Sequence, residues 1–181
     1  IGREDYRVDL LSKDSSTPLW SYTAGGAIIA VSISADGEYI VAGSATGNGR
    51  FYVYDKDSSS PKWNYQTSGG SVTSVSISAD GEYIVAGYNS NGWNGYTYLF
   101  KKDGSTLLGN YATAGTEGSI QSNAISADGK YIVAGSYDDR VYFFDKDSNI
   151  PLWNYDFKSG VYLVDISADG EYIAIAPSPT S

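Results

Sequence analysis

The run Ile77-Ser78-Ala79-Asp80-Gly81, followed after one residue by Tyr83-Ile84, occurs four times in the chain with few changes. Successive copies are separated by 44, 48 and 41 residues. A period of this length is typical of chains that repeat one small unit of secondary structure and stack the copies. The other copies of the run cover residues 33–37, 125–129 and 166–170.

A second pattern follows the same period, since an aspartate stands six residues before a tryptophan. The pairs are Asp14 and Trp20, Asp57 and Trp63, and Asp147 and Trp153. In the remaining copy Gly109 occupies the tryptophan position. A large aromatic residue that recurs at one register indicates packing between neighbouring repeats, because it buries much apolar area at a small entropic cost.

One period, residues 71–112, contains four segments with strand character. Asp80-Gly81 supplies the positive φ angle that a tight hairpin requires. No segment combines a helical spacing of apolar residues with capping signals. The predicted strands are Val72–Ser78, Tyr83–Gly87, Tyr96–Lys101 and Leu107–Thr113. Four strands in each period predict an all-β fold, a β-propeller of four-stranded antiparallel blades.

The repeats resemble two propeller families. Residues 75–87 are similar to the first two strands of a WD40 repeat, and 140–145 to its third strand, with Phe144 at the usual tryptophan position. The Trp-Asp and Gly-His pairs of WD40 repeats are absent from the sequence. Pro151-Leu152-Trp153, after Asp-Lys-Asp-Ser, is closer to quinoprotein (PQQ)-like repeats, in which the tryptophan packs between blades. The resemblance covers nearly the whole chain and implies the fold, but propellers host many unrelated activities.

The WD40 analogy divides residues 1–176 into four blade equivalents, three whole and two halves. Residues 26–69, 70–115 and 116–159 form the whole blades. Residues 1–25 supply only the third and fourth strands of a blade, and residues 160–176 only the first and second. Residues 177–181 resemble the start of a Pro/Ser/Thr linker.

Three arrangements of the two halves fit this division. They can meet within one chain, between two chains, or with further segments of a longer propeller. We expect a closed assembly of more than four blades, with a homodimer completing a larger ring. Half blades would otherwise leave unpaired strand edges and exposed apolar faces, which drive association.

Composition excludes several classes of function. The 181 residues include no cysteine, histidine or methionine and carry a net charge of −9. Thiolate nucleophiles, disulfides, Cys/His zinc sites and histidine bases are therefore excluded. The charge disfavours a nucleic acid partner, and no apolar stretch reaches the roughly 18 residues of a membrane-inserted helix. We expect no cofactor, and the linker-like tail favours an extracellular or cell-surface location.

Two repeated polar patterns are better explained as turns than as cation sites. Asp36, Asp80, Asp128 and Asp169 stand in the four Asp-Gly turns, where turn chemistry favours aspartate in every copy. The loops 55–57 and 145–147 alternate carboxylates as calcium sites do. They lack the glycine and the glutamate of an EF-hand, so we predict no metal site.

Departures from the repeat are better candidates for function, because the ring does not need them. Loop 88–95 and segment 112–119 are both longer than their counterparts, and by WD40 geometry they lie on one face of the third blade. Aromatic and polar side chains there favour a contact surface for a protein or a glycan. A neutral change of loop length is the alternative, and Trp93 could instead compensate for the missing tryptophan. The predicted binding residues are Trp93, Asn91, Asn94, Tyr96 and Glu117.

These patterns predict a non-enzymatic scaffold or binding module that presents loops to a protein or glycan partner. A structural repeat module of an extracellular or cell-surface protein is the first alternative, because near-identical repeats with few special residues fit both. A PQQ-dependent dehydrogenase is the second alternative. The resemblance to those enzymes is limited to the tryptophan strand, and no set of cofactor-holding side chains stands out. We therefore predict no catalytic residue.

Overall fold

The computed structural model describes residues 6–45, 49–90, 94–104, 107–113 and 118–178, and within them all regular structure is strand. The strands form five antiparallel sheets, which confirms the all-β prediction. Sheet 1 holds β1 (Arg7–Leu10) and β2 (Trp20–Thr23); sheet 2 holds β3 (Ile28–Ile33), β4 (Tyr39–Ser44), β5 (Arg50–Asp55) and β6 (Trp63–Gln66); sheet 3 holds β7 (Ser71–Ile77), β8 (Tyr83–Asn89), β9 (Gly95–Lys101) and β10 (Leu107–Ala112); sheet 4 holds β11 (Ile120–Ile125), β12 (Tyr131–Ser136), β13 (Arg140–Asp145) and β14 (Trp153–Asp156); sheet 5 holds β15 (Val161–Ile166) and β16 (Ile173–Pro177).

The Asp-Gly turns join the first two strands of the last four sheets. Each turn needs a residue in the left-handed region, which glycine adopts at no steric cost. The φ angles of Gly37, Gly81, Gly129 and Gly170 are 75°, 72°, 73° and 76°. The hairpins predicted from the repeated run are therefore present.

A bulge near the start of each first strand changes which side chains share a face. In sheet 3 the pairing of β7 with β8 shifts between Val72 and Ser74. Because of this extra residue, Val72 and Val75 both turn towards the preceding sheet, where they lie against Gly43. Equivalent shifts occur in β3, β11 and β15.

The apolar cores lie between consecutive sheets. Val41, Phe51 and Val53 of sheet 2, for example, pack against Val72 and Phe100 of sheet 3. Similar clusters join sheet 1 to sheet 2, sheet 3 to sheet 4 and sheet 4 to sheet 5. Since burying one such side chain contributes about 1.5–3 kcal/mol, each sheet depends on its neighbours for stability.

First strands of consecutive sheets lie side by side: β3 contacts β7, β7 contacts β11, and β11 contacts β15. The fourth strands are the outermost in each complete sheet. Sheets that stack face to face, with their first strands adjacent, are the blades of a β-propeller. The predicted fold class is confirmed.

Sheets 1 and 5 are half blades at the two ends of this array. Sheet 1 has the third and fourth strands of a blade, and sheet 5 has the first and second. Among the described residues, no strand pairing joins β16 to β1. Pro177 and Ser178, which the sequence assigns to a tail, belong to the β15–β16 hairpin, because the Ser178 amide donates to the Gly160 carbonyl at 2.7 Å.

Candidate functional site

The two ends of each blade have different roles. We call the end with the Asp-Gly turns and the loops between third and fourth strands the turn end. The opposite end, with the loops between second and third strands and the connections between sheets, is the loop end. The turn end joins consecutive sheets through three repeated contacts.

The first contact places a tyrosine of one sheet on a glycine of the next. The rings of Tyr39, Tyr83 and Tyr131 cover Gly81, Gly129 and Gly170, respectively. A Cβ built on these glycines would lie only 2.3–2.5 Å from the tyrosine ring. Glycine is therefore required here both for its φ angle and for the close approach of the ring.

The second contact is a chain of backbone hydrogen bonds between the same turns. The amide of Ala35 donates to the carbonyl of Ala79, Ala79 donates to Ala127, and Ala127 donates to Ala168. Each N···O distance is 3.0 Å. Consecutive blades are thus held in one register.

The third contact uses the repeated tryptophans. The Nε1–H groups of Trp20 and Trp63 each donate to a lysine carbonyl of the next sheet, at Lys56 and Lys102, with N···O distances of 2.7 Å. Both rings also pack on aromatic side chains, Trp20 on Tyr54 and Trp63 on Phe100. The packing function predicted for these two tryptophans is confirmed.

Sheet 3 makes the same contact with a different residue. Gly109 stands at the tryptophan position, and a Cβ there would lie 2.8 Å from the hydroxyl of Tyr111. That hydroxyl donates to the carbonyl of Lys146 at 3.1 Å, and burial raises the pKa of Tyr111 to about 12. Tyr111 thus takes the hydrogen-bonding role, which leaves no need for Trp93 to compensate at this carbonyl.

A cavity of about 390 Å³ lies beside this substitution, between sheets 3 and 4. Leu99 and Tyr83 form part of its wall, and Lys101, Lys146 and Asp147 bring charge to it. Leu108, the residue before Gly109, also lines this recess, which therefore lies next to the position without a tryptophan.

The repeated aspartates are occupied in the turns themselves. In each Asp-Gly turn the carboxylate accepts a hydrogen bond from the serine hydroxyl two residues earlier, at 2.5–2.7 Å. It also accepts from the amide two residues later, at 2.9–3.1 Å. These bonds, the serine bond first, lower the pKa of Asp36, Asp128 and Asp169. The turn interpretation of these residues is confirmed.

The Asp-Lys-Asp loops are turns closed by ion pairs. Lys56 binds Glu38 at 2.9 Å and Asp57 at 3.0 Å, and these contacts raise its pKa to about 12. The amide of Asp147 donates to the side chain of Asp145 at 2.9 Å. No group of three or more acidic side chains within the described ranges is arranged to hold a metal ion.

The two longer segments of sheet 3 meet at its loop end. The Asn89 side chain accepts from the amide of Ile120 at 2.6 Å and donates to the carbonyl of the same residue at 3.1 Å. The Thr113 hydroxyl donates to the carbonyl of Gly118 at 2.8 Å. A Cβ on Gly95 would lie 1.9 Å from the Gly118 carbonyl oxygen, so the loop bases are in close contact. We call this end of sheet 3, where the loops 88–95 and 112–119 begin and end, the loop face of sheet 3.

The structure describes two of the five predicted binding residues. Asn94 is exposed, and its carbonyl accepts from the amide of Ser90 at 3.0 Å, which closes the base of the loop. Tyr96 is half-buried and stacks with Tyr88 and Tyr98. Asn91, Trp93 and Glu117 lie outside the described residues.

Asp138 is a residue of this region that sequence reasoning missed. Its Oδ2 accepts a hydrogen bond from the Tyr142 hydroxyl at 2.5 Å and lies near Gly118. Its Oδ1 is buried and has no partner among the described residues. Nothing in the repeat marks Asp138, because its position depends on the contact between sheets 3 and 4.

The fold and these contacts define a β-propeller repeat protein whose blades are joined by aromatic, glycine and backbone contacts. A comparison with protein families matches residues 5–178 to the family described as outer membrane protein assembly factor BamB, a PQQ-type repeat family. The chain belongs to this family, in agreement with the predicted resemblance to PQQ-like repeats. A search of curated proteins finds no match. None of the described residues forms a helix long and apolar enough to cross a membrane.

Proposed function

We propose that the chain is a non-enzymatic binding module that holds a protein partner on the loop face of sheet 3. Its family is described as a protein assembly factor, which supports a protein rather than a glycan as the partner. The observation that carries the proposal is the contact between the bases of the two longer segments, where the amide and hydroxyl of Thr113 donate to the Gly95 carbonyl. Beside them, Asn89 exchanges two hydrogen bonds with Ile120.

Such a face is suited to binding without rearrangement. The loop bases are held by Asn89, Thr113 and the Gly95–Gly118 contact, so little backbone entropy is lost at these bases when a partner binds. Trp93 and Tyr96 bring aromatic groups of the kind that often dominate binding energy. The net charge of −9 favours a basic partner and a binding rate that falls with added salt.

The experiment requires a partner that is captured on the immobilised chain, identified by mass spectrometry and then purified. Its affinity for the chain is measured by calorimetry with wild type, Trp93→Ala and Asn94→Ala. Asn48→Ala is the matched control, because Asn48-Gly49 occupies in sheet 2 the position of Asn94-Gly95. We expect Trp93→Ala to weaken binding about thirty-fold, the effect of a typical hot spot, and Asn48→Ala to change it less than about two-fold.

Equal affinities for Trp93→Ala, Asn94→Ala and the control would reject the loop face as the binding site. Capture of a glycan on the same face, with no protein partner, would reject the protein class of ligand. The alternative is a purely structural module, which the near-identical contacts between consecutive sheets favour. In that case we expect neither ligand to bind.

The absence of enzymatic activity belongs to the same proposal and has a separate test. The chain is mixed with PQQ and calcium, and the reduction of an artificial electron acceptor by alcohols and sugars is followed. We expect no reduction above the rate of the cofactor alone. Turnover that depends on the chain would favour the dehydrogenase alternative.

A further inference from the structure

We propose that two copies of the chain join end to end and close an eight-bladed ring. In this assembly sheet 5 of one copy and sheet 1 of the other form one four-stranded blade, and the reverse pairing completes a second. The inference goes beyond the proposed function, because it concerns the ends of the array and not the loop face.

The face that sheet 2 turns towards sheet 1 is only half covered. Ile33 on β3 is 53% exposed, whereas its equivalent on β7, Ile77, is 9% exposed. Ile77 is covered by the second strand of the preceding blade, a strand that sheet 1 lacks. The result is an apolar groove of about 250 Å³, whose lining includes Leu10, Leu11 and Val31.

The opposite end of the array exposes a matching apolar face. Leu163 on β15 is 64% exposed and Tyr172, just before β16, is 77% exposed. The equivalent tyrosines, Tyr39, Tyr83 and Tyr131, are half-buried against the next blade. Trp153 is also exposed, since only the inner half of the next blade is present beside it.

At the two terminal sheets, groups that form the repeated contacts of the turn end are present without their partners. Within the described part of the chain, no atom lies within 4 Å of a Cβ built on Gly37, and the exposed Tyr172 covers no glycine. Among the described residues, the Ala168 amide has no next turn to donate to, and the Ala35 carbonyl has no preceding turn to accept from.

The tryptophan contact shows the same complementarity. In the part of the chain that the structure describes, Trp153 has no lysine carbonyl of the kind that Trp20 and Trp63 bind in the next blade. Lys13 stands seven residues before Trp20, as Lys56 does before Trp63, and its carbonyl is the equivalent acceptor. Trp153 of one copy is therefore expected to donate to Lys13 of the other.

The repeat also fixes the register of the new strand pair. In sheet 2, Val41 of β4 faces Val53 of β5. The equivalent residues are Ala174 of β16 and Leu10 of β1, so these two should face each other across the copies. A second copy thus satisfies the apolar faces, the backbone groups and the strand edges at once.

The blade count agrees with two copies. The described residues supply four blade equivalents, and no strand pairing joins their two half blades. Two copies joined at both ends supply eight blades, a number within the range of about 4–8 that is typical of propellers. The two joints are then related by two-fold symmetry.

One position of the joint departs from the repeat. Ala176 stands where sheets 2, 3 and 4 have Gly43, Gly87 and Gly135. A Cβ at Gly43 would lie 2.6 Å from a Val72 methyl group, so the Ala176 methyl requires a small shift of the facing side chains. We therefore expect Ala176→Gly to tighten the dimer.

The test uses engineered cysteines, which the cysteine-free sequence allows. One preparation carries Leu10→Cys, another carries Ala174→Cys, and a third carries both. We expect an intermolecular disulfide when the first two are mixed and oxidised, and none from either alone. The matched control is Leu10→Cys mixed with Ile175→Cys, because a shift of one residue places the side chains on opposite faces.

A second measurement follows the dimer without cross-linking. Leu163→Arg places a charge in the joint and should raise the dimer dissociation constant at least about thirty-fold. Ile150→Arg, at a similarly exposed position in the β13–β14 loop, should leave it unchanged. An intramolecular disulfide in the double variant, equal cross-linking in the control mixture, or no cross-link with a monomeric wild type would each overturn the proposal.

Discussion

Single residues decide how one blade meets the next. Tyr39, Tyr83 and Tyr131 reach the next turn only because Gly81, Gly129 and Gly170 have no Cβ. Where the tryptophan is missing, Tyr111 reaches the same carbonyl from two positions further along the strand. Residues two apart in a strand share a face, which explains how Tyr111 preserves the hydrogen bond between sheets 3 and 4.

Tyr111→Phe tests this substitution directly. The change removes the hydroxyl that donates to Lys146 and keeps the ring that packs against Phe144. We expect the free energy of unfolding to fall by about 1 kcal/mol, the typical net contribution of a hydrogen bond. Urea denaturation measures the change, and Tyr137→Phe, at an exposed tyrosine, is the control. An equal effect of the two changes would contradict the role of Tyr111.

The aspartates of the turns predict how stability depends on pH. Because the folded state lowers the pKa of Asp36, Asp128 and Asp169, their stabilising effect is present above the unfolded pKa of about 3.9. It is lost as the pH falls through the folded pKa. Ser126→Ala removes the largest cause at Asp128 and should raise the pKa of that carboxyl towards its usual value. An NMR titration of the carboxyl carbons measures this, and an unchanged Asp128 pKa would reject the explanation.

At the scale of strands and loops, the repeated sequence pattern predicts more of the structure than the amino-acid composition does. The Asp-Gly turns, the four strands of each period and the stacking of sheets could be predicted, because period-two patterning and turn chemistry are local. The bulges in the first strands could not be predicted, because they depend on packing between consecutive sheets. The contact of Asn89 with Ile120 was likewise hidden, because the two residues lie in different sheets.

Asn89→Ala tests whether this contact fixes the loop face. The change removes the side-chain acceptor of the Ile120 amide, whereas the Ile120 carbonyl keeps a hydrogen bond from the Thr73 hydroxyl at 2.7 Å. We expect a loss of about 2 kcal/mol in unfolding free energy, within the range for unsatisfied polar groups, and faster hydrogen exchange at the Ile120 amide. Asn89→Asp keeps the acceptor and should have the smaller effect on that amide. Unchanged exchange in both variants would show that other contacts hold the loops.

The candidate site itself could be predicted only in outline. Unequal loop lengths identified the region, and the structure brings the bases of the two loops together at Gly95, Thr113 and Gly118. The binding roles of Trp93, Asn91, Asn94, Tyr96 and Glu117 remain predictions. Asp138 could not have been found from the sequence, because the burial of its Oδ1 arises only in the folded chain.

At the scale of the whole molecule, one pattern repeated four times produces an array with two complementary ends. Tyrosine and backbone contacts join sheets 2 to 5, and tryptophan contacts join sheets 1 to 3. Among the described residues, the terminal sheets retain one partner of each contact without the other. Exposed apolar faces and strand edges of this kind favour association. The sequence predicted the half blades, and the structure adds the residues that would meet.

The absolute mass of the native chain in solution, measured by light scattering during size-exclusion chromatography, tests this account most directly. For two copies in a closed ring we expect a mass of twice 19.4 kDa. This mass should stay constant on dilution as long as the protein concentration remains well above the dissociation constant of the dimer. A single chain, at 19.4 kDa, or a mass that keeps growing with concentration as copies add to open arrays, would contradict the closed dimer.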